Sequence, residues 1–330
     1  MTPVAEVLAQ EIRRNGPIPF HRFMQTALYH PEHGYYRQGR DPFGRAGDFY
    51  TAEQIQPVFG ILIARRIEMM CDEMGRPEDF TVVELGAGRG EMAAALGKFR
   101  YVPVEIARGR LPESLRGVVF SNEFFDSLAV DRVVRRGGEV RELRVDWDGE
   151  RFRWVEGDRA PEEIADYVSR YLPALEEGAA AEVNLEALRW IERIAGALEQ
   201  GFHFAIDYGY TRRETARFPE GTLMSYRRHT AIEDVLANPG AQDITAHVNF
   251  TALVERGAQW GLETLRLETL AQTLLAAGES DQFREALAAA TPAAESKHRL
   301  QLKTLLFGMG ETFRTLVQRK AGRAGAHPEK

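Results

Sequence analysis

The sequence predicts an α/β fold: a Rossmann-like, mainly parallel sheet with helices on both faces. Three observations predict it. From Phe80 onward, short β-rich runs alternate with helical segments. One of these runs, "FTVVEL", leads straight into a loop with glycine at every second position, Gly86, Gly88 and Gly90, and then into a helical pattern. The chain has 330 residues, 44% hydrophobic and 28% charged, and so can bury a large core without covalent staples.

Taken in order, residues 4–14 predict a short amphipathic helix closed by "NGPIP", and residues 19–29 a second one closed by "HPEHGYY". The glycine- and charge-rich "RQGRDPFGRAGDF" predicts a surface loop. Thr51 reads as an N-cap with Gln54 as its capping-box partner. Ile55, Phe59, Leu62, Ile63 and Met70 recur behind it at helical spacing, which predicts a helix to about Met74 with a kink at Pro57. "FTVVEL", "YVPVEI", "GVVFSNE" and "HFAIDYG" predict strands; "EMAAALGKF" and "NLEALRWIERIAGALEQ" predict helices. Residues 131–155 alternate around "GG" and "DG" and predict an inserted or edge antiparallel element. Residues 280–320 read as helical, with a frayed tail after Lys320. The expected organisation is an N-terminal helical region and lid loop over 1–78, a sheet core over 79–275 with an insertion at about 131–195, and a C-terminal helical segment over 276–330.

The net charge of -7 forces no basic face, so nucleic acid is not the expected partner. The single cysteine, Cys71, excludes an intrachain disulfide and a cysteine-cluster metal site. No histidine pair stands at ligand spacing with acids, so no metal is expected. The N-terminal "MTPVAEVLAQEIRRNG" lacks the apolar stretch of a signal peptide, and no run reaches membrane-helix length; the expected location is cytoplasmic. Nothing in the sequence supports or excludes a homo-oligomer.

The glycine loop follows a predicted strand and opens a predicted helix. Glycine admits positive φ and leaves room for a ligand against bare backbone, and helix-end amides then face that ligand. A dinucleotide cradle wants its third glycine or alanine one place after Gly90, at position 91, and the Glu91 that stands there opposes a pyrophosphate. Glu84 adds a second acid before the loop. A cationic cofactor, S-adenosylmethionine, suits the acids better, at about 1–4 kcal/mol for a contact of ~4 Å. Glu105, closing the second strand, is placed to accept ribose hydroxyls.

"HPEHGYY", "GDFYTAEQIQPVFG", "VVELGAGRGEM", "SNEFFDSLAVD", "FAIDYGY", "GTLMSYRRH", "DITAHVNFTAL" and "GETFRTL" together span most of the chain. On these stretches the sequence resembles the MidA-like class I methyltransferases, whose mitochondrial members are complex I assembly factors that methylate a protein arginine. The resemblance implies an S-adenosylmethionine-dependent enzyme with a protein substrate. Other acceptors, or an assembly protein that keeps the fold and methylates little, remain open at this point.

An arginine acceptor is a planar cation best gripped by carboxylates, at the carboxyl ends of the strands. Glu123 is the expected main acid and Asp126 the second; the alternative is that they cap the next segment or pair with Arg132. Asn122 is a candidate for the cofactor's ammonium end. Asp207 ends another strand as either a catalytic acid or a turn former. Asp48 and Thr51 either close over the cofactor or, for Thr51, simply cap a helix. His247 is either a base or substrate contact, or a structural histidine.

Overall fold

Parallel strands covered on both faces need near-continuous apolar sequence, and edge or reversed strands do not. The computed structural model describes residues 1–37, 52–106, 109–227, 230–232 and 234–322. Asp48 and Thr51 therefore lie outside the described residues, as does the tail from 323 onward. The chain forms two compact units, each built from three separate stretches. They cut across the sequential boundaries expected above.

One unit comprises Ala52–Phe124, Trp190–Tyr208 and Leu253–Lys330. Its sheet runs in the order Glu263–Thr269, Phe313–Lys320, Leu198–Tyr210, Leu115–Asn122, Thr81–Leu85, Arg100–Val104. The last four are mutually parallel; the first two are antiparallel to their neighbours. From Thr81–Leu85 the chain goes to Arg100–Val104 on one side, then to Leu115–Asn122 on the other. That reversal creates a switch point at the carboxyl ends of the strands, where open α/β sheets take their ligands. The helix Val58–Glu73 buries Phe59, Leu62, Ile63 and Met70 in one core with Val82, Phe120, Phe204 and Val317. Each such side chain contributes about 1.5–3 kcal/mol.

The other unit comprises Met1–Thr51, Phe125–Arg189 and Gly209–Ala252. Helices Pro3–Asn15 and Phe20–Tyr29 share a core with Val145 and Phe152 of an antiparallel sheet. That sheet contains Asp131–Arg136, Glu139–Trp147, Phe152–Arg159 and Ala180–Val183. The expected hairpins are present. Gly137 and Gly138 both take positive φ, 58° and 77°, as a tight two-residue turn requires.

Three expectations need correction. The helix does not run through Pro57 with a kink; it begins at Val58, after a separate turn at Ala52–Gln54. A proline ring would clash with the carbonyl four residues earlier, so the helix starts behind it. The helix after the glycine loop shrinks to Ala93–Leu96, where only Leu96 is buried. Most consequentially, residues 280–320 are not all helical. Helices end by Met309, and Phe313–Lys320 is a strand lying along Leu198–Tyr210. Phe313, Leu316 and Val317 mimic the spacing of a helix face. The strand also buries two polar residues, Thr315 and Gln318, with no exposed surface. Gln318 bonds His203 Nδ1 at 3.0 Å and donates to Thr264 Oγ1 at 3.2 Å, so its amide is satisfied inside the sheet.

The strand starts are held by a row of bare backbone. A Cβ on Gly117 would lie 2.0 Å from the Thr81 carbonyl oxygen, and one on Gly201 would lie 1.9 Å from that of Gly117. Both glycines also have positive φ, 148° and 141°. Gly117→Ala is expected to cost about 3 kcal/mol or more in urea unfolding, because neither strand can retreat. Gly196→Ala, in a helix with nothing within 4 Å of the added carbon, is expected to gain up to about 1 kcal/mol.

Candidate functional site

The glycine loop sits at the carboxyl end of Thr81–Leu85, and hydrogen bonds from three of its backbone amides, two to carbonyls and one to a side-chain carboxylate, set its shape. Gly86 N donates to Val104 O at 2.8 Å, Gly90 N to Ala87 O at 2.7 Å, and Gly88 N to Glu105 Oε1 at 2.6 Å. Gly86, Gly88 and Gly90 have φ of 72°, 54° and 76°, so all three occupy the region that side chains disfavour. Gly86 answers a packing demand too. A Cβ there would lie 3.0 Å from the Phe124 ring, which is buried edge-on against Trp190. Phe124 is thus a core residue that shapes the loop.

The acids around this loop differ in how they are compensated. Glu91, which counted against a pyrophosphate in the sequence, pairs with Arg89 at 2.8 Å, so its charge is largely answered. The weight shifts to Glu84. Its side chain is fully buried; one oxygen accepts the Tyr101 hydroxyl, and Oε1 has no hydrogen-bond partner. Burial pushes its pKa up to about 7, against the hydrogen bonds from Tyr101 and Glu53, and Glu105 and Glu91 push it the same way as burial.

Glu53 and Tyr101 are the two residues that the sequence reading missed. Glu53 is 6% exposed, and its Oε1 has no hydrogen-bond partner. Burial first, then Glu84 and Glu123, raise its pKa well above the carboxylate range. Its signal was hidden because Thr51 and Gln54 on either side explained the segment as a helix cap. Tyr101 was findable. It pairs in register with Val82, one diagonal step from Glu84 on the same face of a parallel pair.

At the end of Leu115–Asn122, Asn122 is 4% exposed; its Nδ2 donates to Glu123 Oε1 at 3.1 Å and its Oδ1 has no partner. Glu123 stands at φ 52°, unusual for a residue with a side chain. Its Oε1 also accepts from Ala52 N at 3.1 Å, and its own N–H donates to Ile206 O at 3.0 Å. Asp207 is fully buried and accepts from Phe124 N at 3.2 Å and Tyr208 N at 2.9 Å. It fixes the turn that carries Glu123.

The structure thus gathers Glu84, Gly86, Gly88, Gly90, Glu105, Asn122, Glu123 and Asp207 at one edge of one sheet. Asp126 and His247 belong to the other unit. There Ala246 N donates to the Asp126 carbonyl at 3.0 Å, which places their two segments side by side. Asp126 is 5% exposed. His247 is half-buried, edge-on to Phe218, and burial lowers its pKa. Among the described residues no cluster of histidine, cysteine and acids could hold a metal, and no helix is long and apolar enough to cross a membrane.

The unmet oxygens of Glu84, Glu53 and Asn122 are acceptors, and the loop is bare backbone. That set fits a ligand with an ammonium and a net positive charge. The comparisons agree. A family profile described as "Putative S-adenosyl-L-methionine-dependent methyltransferase" matches residues 98–268, just over half of the chain. A Burkholderia thailandensis protein, solved bound to S-adenosyl-homocysteine, is 30% identical with a TM-score of 0.85; the match covers 96% of this chain and 92% of that one. The protein arginine methyltransferase NDUFAF7 homolog of Drosophila melanogaster is 29% identical over 75% of this chain and 68% of its own. Human protein arginine methyltransferase NDUFAF7 is 28% identical over 77% and 68%. The cofactor is S-adenosyl-L-methionine. Glu84 and Asn122 would hold its ammonium end, and Glu105 its ribose.

Gly88→Val is expected to weaken binding of S-adenosyl-homocysteine by more than about 100-fold, about 3 kcal/mol, in calorimetry. The circular dichroism spectrum should be unchanged, since the loop is at the sheet's edge.

Proposed function

The chain belongs to the S-adenosyl-L-methionine-dependent methyltransferase family whose profile spans residues 98–268, and we propose that it methylates an arginine side chain of a partner protein. The relatives named as protein arginine methyltransferases support the acceptor class. The observation that carries the residue assignment is Glu123, a carboxylate held at positive φ at the switch point of the sheet. Non-glycine residues at such φ cost of order 1–2 kcal/mol and persist where the surroundings over-determine them. Here the surroundings are Asp207, the Ala52 amide and Asn122.

A guanidinium is charged at any physiological pH and presents a planar fork, which a preplaced carboxylate binds and orients. Glu123 takes that role. When bound, the cofactor supplies a methyl group on a positively charged sulfur. The acceptor nitrogen would take that methyl group, with the carbon–sulfur bonding pair staying on sulfur, and would give up one proton to solvent. Glu123 and its partners contribute by orienting the nitrogen, since holding reactants at ~3–3.5 Å supplies much of the rate. Asp207 acts through the turn and does not itself need to touch the acceptor.

Glu123→Gln keeps the shape and removes the charge. It is expected to leave cofactor affinity within about twofold while slowing methyl transfer to an arginine-containing partner by about 100–1000-fold. Calorimetry reads the first and intact-mass analysis of the partner the second. Full activity of the variant on an arginine acceptor would overturn the role given to Glu123.

A further inference from the structure

One strand makes three contacts with the cofactor loop and the acid before it. Arg100–Val104 ends the sheet and pairs with Thr81–Leu85. Val104 O accepts from Gly86 N at 2.8 Å, and Glu105, the next residue, accepts from Gly88 N at 2.6 Å. Those two bonds shape the loop. The third contact runs from side chain to side chain: the Tyr101 hydroxyl donates to Glu84 Oε2. It fixes no backbone, so its effect falls on the Glu84 carboxyl itself.

The two oxygens of that carboxyl are treated differently. Glu84 has no exposed surface, and its Oε1 has no hydrogen-bond partner. Oε2 is held by Tyr101. Tyr101 stands in register with Val82, on the same face of the parallel pair as Glu84. Its ring packs against the core that contains Val82, Phe120 and Phe204, so the hydroxyl sits at the end of a supported arm. Burial first, then Glu84, hold its pKa above the ordinary tyrosine value; the phenol stays protonated and is the donor.

We propose that Tyr101 is a positioning residue for the cofactor: by holding Oε2 of Glu84 it reserves Oε1 for the ammonium at the ligand's amino-acid end. Recognition of that end then passes through Tyr101, and recognition of the adenosine does not. This rests on the cofactor being S-adenosyl-L-methionine and on Glu84 meeting its ammonium.

A carboxylate buried away from water needs both oxygens answered, or its charge is costly. A hydroxyl bond to an ionised oxygen is stronger than one between neutral groups, and it favours the charged form against burial. Without the phenol oxygen, the Glu84 carboxyl would be free to turn and less inclined to ionise. Both changes weaken its hold on an ammonium.

Calorimetry on the full chain, with no methyl acceptor present, tests this with two ligands. S-adenosyl-homocysteine carries the amino-acid end; methylthioadenosine has the same adenosine and a neutral thioether but lacks that end. Tyr101→Phe is expected to weaken the first about 10–100-fold and to leave the second within about twofold. In a Glu84→Gln background, which has no carboxylate to hold, Tyr101→Phe should cost less than about twofold more. Equal weakening of both ligands would make Tyr101 a general support of the fold and overturn the proposal. So would an unchanged affinity for S-adenosyl-homocysteine in Tyr101→Phe, or a full-sized further loss in the Glu84→Gln background. The double-variant arm uses S-adenosyl-homocysteine alone and decides without the second ligand. Binding by the unaltered protein tests the cofactor assignment separately, and no arm involves an arginine substrate, so the acceptor assignment stands or falls by itself.

Discussion

A buried carboxyl, Glu84, with no lysine or arginine bonded to it among the described residues is the constraint around which this site is built. Elsewhere the protein matches its acids in the ordinary way. Arg65 holds Asp281 and Glu285, Arg22 grips Glu11, and Lys98 meets Glu68. At the carboxyl edge of the sheet that matching stops. Glu84 has a tyrosine and a second acid for company; both favour its ionised form, and burial outweighs them. Desolvation of a lone carboxylate is expensive, and the group responds by keeping its proton. A ligand that carries positive charge removes the conflict. Affinity for a cationic cofactor is therefore a consequence of what the fold leaves out as much as of what it supplies.

Rigid placement makes that omission useful. Glu84 lies within a strand, Asn122 at the end of the next, Glu105 just past a third and Asp207 within a fourth. The parallel register sets their spacing, and the glycine row at Gly117 and Gly201 lets those strands approach closely at their starts. The loop at Gly86 is shaped by the Phe124 ring, and Phe124 is itself fixed through its amide to Asp207. Cofactor cradle and acid-bearing turn thus share one supporting residue. A change at Asp207 would reach both, which is why a buried carboxylate on two backbone amides belongs to the site's architecture even without touching a ligand.

Much of this was legible in the sequence. Alternating β and helical runs gave the sheet, and a strand running into spaced glycines gave its switch point. Acids at strand ends marked Glu84, Glu105 and Glu123, because local chain order alone decides that a strand's last residues face its carboxyl edge. What stayed hidden depended on distant partners. Phe313–Lys320 looked helical because its apolar residues fall at spacings of three and four, and its buried Gln318 looked like a surface residue. The neighbouring strand on one side supplies His203 and the one on the other side supplies Thr264, which together satisfy that amide inside the sheet. Glu53 stayed hidden for the same reason. Its meaning lies in residues far along the chain, Glu84 being thirty-one positions away, and not in a local helix cap or apolar period.

The sequence by itself determined the layer type, the order of the central strands' elements, and the chemistry of the loop, since these follow from periodicity and from which residues can take positive φ. Tertiary structure alone decided which acids keep a cation and which do not. Glu91 found Arg89 two residues away, while Glu84 was buried with no arginine or lysine bonded to it among the described residues. Charge is written in the chain, but its cost depends on solvent and neighbours, and both are assigned only when the strands come together.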